Sequence, residues 1–157
     1  MKDKDFDIKG AYEKIAKKHT LPKFEKLDDE FEISFIDKEA FLVRSIRRKM
    51  NEKVIFFCRI IEGVLFPQGA SYISAVENKA VTDEEKQKIL KVYKRLMGYE
   101  RRSLRLDTNS DDEKDAKYIK SLYKEWPAFK EVAEDFVKKL ENAWNKEEET
   151  PSEGFFG

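Results

Sequence analysis

The chain has 157 residues, 41% of them charged and 40% hydrophobic, with 32 basic residues balanced by 32 acidic ones. That length suits one domain, and the charge balance argues against a general nucleic-acid or membrane-surface binder, although a local basic patch remains compatible with it. Gly 6 and Pro 4 are few for this length while helix formers are plentiful, so the class expected is all-α: a single-domain helical bundle of four to six helices with a long central helix.

In chain order, Ile8, Ala11, Tyr12, Ile15 and Ala16 recur at helical spacing and predict a first helix from about residue 7 to His19, ended by Thr20-Leu21-Pro22. Leu21, Phe24, Leu27 and Phe31 then predict a short acidic amphipathic helix, although the alternation over residues 31–35 also fits an extended segment. The strongest element is expected to start after Asp37 as N-cap and to run through Phe41, Ile46, Met50, Val54, Phe57 and Ile61 until Pro67. Its second half, residues 54–66, is apolar nearly all round and is expected to be covered on several sides, with Phe57 in the core.

Residues 68–81 are expected to form a packed connection. Thr82-Asp83-Glu84-Glu85 matches a capping box and starts a helix that carries Ile89, Val92, Leu96, Leu104 and Leu106. Residues 107–110 read as a turn, and Ser110 with Glu113 as a second capping box. Ile119, Leu122 and Trp126 continue at helical spacing, and Pro127 predicts either a new helix or a sharp kink before Phe129, Ala133, Phe136 and Leu140. From composition the helical domain is residues 1–146, and residues 147–157 are a flexible, disordered acidic tail.

Several kinds of chemistry are excluded by residue counts. With one histidine, His19, and one cysteine, Cys58, neither a structural zinc site nor a disulfide framework can be built, so no metal and no cofactor is expected. Cys58 lies in an apolar run and is expected in the core. Glu62, which interrupts the most apolar stretch, is the best single acid candidate, and Arg59 can pair with it. No phosphate loop, nucleophile elbow or dinucleotide fingerprint occurs, and the chain is read as non-enzymatic. No apolar run follows Met1-Lys2-Asp3-Lys4-Asp5, and no window is apolar for long enough to span a membrane. With a lone thiol, this predicts a cytoplasmic protein without membrane contact. The high charge of both signs would suit an archaeal or thermophilic source.

Two patterns point to binding. Arg44, Arg47 and Arg48 stand near the start of the long helix, and Arg101, Arg102 and Arg105 stand near the end of the helix begun at Thr82. Antiparallel packing would bring both clusters to one end, where they either hold phosphate or carboxylate groups or are consumed by the acidic stretches 28–32 and 107–115. The second pattern is the tail, whose acidic residues lead to Phe155 and Phe156. In general design it resembles the C-terminal peptides of archaeal ribosomal stalk proteins and of proteins that dock on the sliding clamp, departing from the clamp motif at Glu149 and Ser152. The resemblance implies a partner pocket for the two phenylalanines, and docking on the chain's own bundle is the alternative. The functional expectation is an interaction or adaptor protein binding a protein partner through the bundle surface, the tail, or both. The alternative is a nucleic-acid-associated protein that uses the arginines.

Overall fold

The computed structural model describes residues 6–149, and every regular element among them is helical: α1 (Ile8–His19), α2 (Phe24–Phe31), a 3-10 turn (Ile33–Phe35), α3 (Leu42–Leu65), α4 (Tyr72–Ala80), α5 (Asp83–Thr108) and α6 (Asp112–Glu149). The chain is thus an all-α helical bundle protein with six α-helices among the described residues. None of these helices is long and apolar enough to cross a membrane. The chain divides into two compact units, Met1–Phe56 with Leu96–Pro127, and Phe57–Arg95 with Ala128–Gly157, so that α3, α5 and α6 each contribute residues to both.

In the first unit, α1 starts where the Asp7 carboxylate accepts the Gly10 amide at 3.0 Å, and it ends at Thr20, which takes the left-handed conformation. The Tyr12 hydroxyl donates to the Pro22 carbonyl at 2.5 Å, and its ring meets Phe24 edge-on, which ties α1 to α2. Phe31 stacks on Trp126 with centroids 4.8 Å apart, while the Trp126 indole N–H donates to Glu30. Leu27, Phe31, Ile33, Ile46, Met50, Leu96, Ile119 and Leu122 complete a closed apolar interior. The 31–35 ambiguity resolves as helical. The Asp28 carboxylate accepts the Ser34 amide at 2.7 Å and tightens the chain into the 3-10 turn, leaving no free edge for extended pairing.

The second unit is built on Cys58, Ile61, Val64, Val76, Val81, Ile89, Val92, Phe129, Ala133, Phe136 and Leu140. Cys58 is buried there as a core residue. The segment expected to be a connection contains α4, whose first turn is closed by Ser71 accepting the Ser74 amide at 3.1 Å. The Asn78 side chain donates to the Val64 carbonyl, Lys86 donates to Asn78, and Trp144 donates to Glu77.

Four local expectations are corrected. The first intrahelical bond of α3 runs from the Ser45 amide to the Phe41 carbonyl, so the helix starts at Leu42, five residues beyond Asp37, with Phe41 in the left-handed region. The residues 54–66 are not covered all round. Val54, Cys58, Ile61 and Val64 form a buried stripe, whereas Phe56 and Phe66 are exposed and Phe57 is half-buried, as a period of 3.6 residues requires when one face is packed. The cap of α6 is Asp111, accepting the Lys114 amide at 2.8 Å, and Ser110 is engaged elsewhere. Finally, no new helix starts at Pro127, which lies inside α6, and at 38 residues α6 is longer than the 24-residue α3. Proline removes one helical hydrogen bond, and the buried stripe Leu122, Trp126, Phe129, Ala133 and Phe136 on both sides of it holds the helix together. Since α6 ends at Glu149, residues 147–149 of the expected tail are helical, and its remainder, including Phe155 and Phe156, lies outside the described residues.

Candidate functional site

The α3 and α5 segments that carry the two arginine clusters lie side by side within the first unit. Arg44 of α3 donates from Nε to Ser110 Oγ at 3.1 Å, while Arg47, one turn on, reaches back to Ser103 of α5, so the two helices run antiparallel at this end. Arg47 has no exposed surface. Its Nε donates to Asp115 Oδ1 at 2.7 Å, its Nη1 to the Ser103 carbonyl at 3.0 Å and hydroxyl at 2.5 Å, and its Nη2 to Asp107. Asp115 is likewise wholly buried, and its second oxygen accepts the Ser110 hydroxyl at 2.6 Å. Beneath this cluster the Tyr118 hydroxyl donates to Asn51, and the Tyr118 ring meets Tyr99 edge-on. Burial pushes the Tyr118 hydroxyl well above the usual tyrosine range.

This arrangement is a polar clamp whose charges and donors face one another. Burying an ion pair adds little net stability, yet removing one partner strands a charge in a low dielectric, so the clamp holds α3, α5 and α6 in one register. It also settles where the predicted arginines go. Arg47 is spent inside the fold on carboxylates of the 107–115 stretch. Arg48 is exposed and bonded to Asp107 at 3.0 Å, Arg44 lies 4.8 Å from the Phe41 ring centroid, and Arg101 pairs with Glu100. The 28–32 stretch takes no part in these arginine contacts: Asp28 closes the 3-10 turn and Glu30 receives Trp126.

Arg102 and Arg105 face a different environment. Together with Leu106 and Asn109 of the α5 end, and Lys114 and Lys117 of the α6 start, they line a groove of about 450 Å³. The Arg102 guanidinium carbon lies 5.7 Å from the Tyr118 ring centroid, and Lys114 lies 3.4 Å from Asp111. Among the described residues no carboxylate pairs with Arg102, Arg105 or Lys117. Sequence reasoning named the two arginines but missed Asn109, Lys114 and Lys117, whose only signal was position just beyond the end of α5 and in the first turns of α6.

The remaining candidates carry less. Glu62 is half-buried and accepts the Tyr93 hydroxyl at 2.7 Å, and His19 ends α1 with its Nε2 buried and without a hydrogen-bond partner among the described residues. Among the described residues no three His, Cys, Asp or Glu side chains lie close enough to hold a metal ion. In comparisons with protein-family models, curated proteins and solved structures, the chain matches none.

Partial burial tends to raise the Asp107 carboxyl, but hydrogen bonds from Arg47 and then Arg48 outweigh it and hold the group below its ordinary 3.8. A carboxylate with a lowered folded-state pKa contributes stability above its unfolded pKa and loses it as pH falls through the folded value. Acid titration of stability should therefore show the wild-type chain losing stability more steeply below pH 3.8 than Asp107→Asn, whose profile is flatter there. Equal slopes for the two proteins would contradict the Asp107 assignment.

Proposed function

We propose that the chain is a non-enzymatic interaction protein that binds a protein partner through the surface around the loop from the 3-10 turn to α3. The observation that carries this reading is Phe41. It holds φ 56°, a conformation that costs a bulky residue on the order of 1–2 kcal/mol, yet its ring is 68% exposed. Folding alone gains little from strain spent on presenting an aromatic to water, whereas exposed aromatics are the residues that anchor protein interfaces. Phe35, at the other end of the same loop, is 73% exposed, and Arg44 lies against the Phe41 ring. Aromatic and arginine side chains together form the composition enriched at interface centres.

The reading is tested by placing a photo-crosslinking residue at position 41 and, as a control, at exposed Gln87 on α5, in the full-length chain in native lysate. A discrete protein adduct is expected from position 41 and not from 87. Phe41→Gly, which accepts the left-handed backbone without strain, should change stability by less than about 1 kcal/mol and abolish co-purification of that same partner. Identical adduct patterns at both positions, or a partner retained by Phe41→Gly, would refute the proposal.

A further inference from the structure

We infer that the groove lined by Arg102, Arg105, Asn109, Lys114 and Lys117 binds consecutive phosphates of a nucleic-acid backbone, a property separate from the protein-partner surface around Phe41. Four cations border one concavity, and three of them lack a carboxylate partner among the described residues. Holding like charges together opposes folding, and among the described residues only the exposed Asp111 on Lys114 offsets it here, in contrast to Arg47, whose charge is matched by Asp107 and Asp115. An anionic ligand supplies that compensation.

The lining also specifies what kind of anion. Arg102 and Arg105 are three residues apart on α5, and Lys114 and Lys117 are three apart on α6, so each helix sets its two charges in a row about one turn apart. Two rows suit an extended strand of phosphates better than one compact anion. Arginine adds bidentate donors, and Arg102 keeps its place against the Tyr118 ring. Among the described residues no aromatic side chain lines the groove, and Tyr118 is buried, so they offer no platform on which a base could stack. Recognition is therefore of the backbone and independent of sequence. Lys114 contributes by exchanging Asp111 for a phosphate, which the exposure of that pair permits.

Fluorescence anisotropy of the full-length chain with a labelled single-stranded RNA of mixed sequence tests the inference, read across a series of salt concentrations. Wild type should bind at low salt with a slope of log K against log salt of roughly −2 to −3, about 0.7 for each phosphate neutralised on a single strand. Arg105→Glu with Lys117→Glu, both exposed positions, should weaken binding by at least about tenfold and reduce the slope by about 1 to 2. Lys91→Glu with Lys94→Glu changes the net charge equally at exposed positions outside the groove and should leave affinity nearly intact. Circular dichroism melts of both variants establish that they fold. Absence of RNA binding at low salt, equal losses in the two variants, or an unaffected groove variant would each overturn the inference. Direct binding of inorganic tripolyphosphate without RNA binding would also overturn it, in favour of a compact polyphosphate.

Discussion

Asp115→Ala is expected to cost about 3–5 kcal/mol of folding stability, because it strands a buried guanidinium beside the gap it leaves. Asp115 supplies Arg47 with its one fully buried counter-charge and also accepts the Ser110 hydroxyl, so the substitution unpairs two donors at once. Asp107, the other carboxylate on Arg47, is about one-third exposed and cannot move inward to replace it without losing Arg48 and solvent. Against the 5–15 kcal/mol typical of a whole domain, such a loss is readily measured by urea denaturation. Asp115→Asn, which keeps the shape and one acceptor, should lose less. A loss below about 1 kcal/mol for Asp115→Ala would show that the buried pair is not structurally engaged.

Trp126→Ala should be comparably damaging, at roughly 3–5 kcal/mol. The indole is almost wholly buried, packs against Phe31 at 4.8 Å and donates to Glu30, so its removal leaves a large cavity and an acceptor without its donor. Phe57→Ala provides the comparison. Its ring is only half-buried, so thermal denaturation should register a distinctly smaller loss than for Trp126→Ala. Equal losses would mean that the apolar run of α3 is packed on more faces than its one buried stripe.

The contrast between these two aromatics shows what the sequence could convey. Composition and helical periodicity identified the class and most helices, since α3, α5 and α6 each keep an apolar stripe of many turns and α1 repeats its apolar residues over three. The Thr82 cap was legible because the threonine hydroxyl receives the Glu85 amide, a purely local bond of 3.2 Å. Features decided by distant residues were not legible. The nine-residue α4 buries only Val76, too little for a periodic signal, and its start depends on the Ser71 cap. Ser110 resembled a cap, but Arg44 and Asp115 take its hydroxyl, and Asp111 caps α6 instead. Continuity through Pro127 depends on packing that outweighs a local penalty.

The arginines illustrate the same limit at the candidate site. Spacing showed that Arg44, Arg47 and Arg48 lie together near one helix start, but i, i+3 and i+4 neighbours still point in different directions. Only tertiary packing separates buried Arg47 from exposed Arg48. The 107–115 acidic stretch was recognisable as a possible sink for arginine charge, and two of its members, Asp107 and Asp115, serve as that sink. Which cations escape it, and so line the groove, follows from where the α5 to α6 turn places Asn109, Lys114 and Lys117.

The central claim is that, at the arginine-rich end, Arg47 and Asp115 form a buried clamp that belongs to the fold. A double-mutant cycle with Arg47→Met, Asp115→Leu and the pair together, measured by urea denaturation, tests that claim most directly. Each single change strands one buried charge, whereas the double change removes both, so the double variant should be more stable than the sum of the two losses predicts by about 2 kcal/mol or more. Losses that add to within about 0.5 kcal/mol would contradict the claim, showing that Arg47 and Asp115 do not depend on each other in the folded chain.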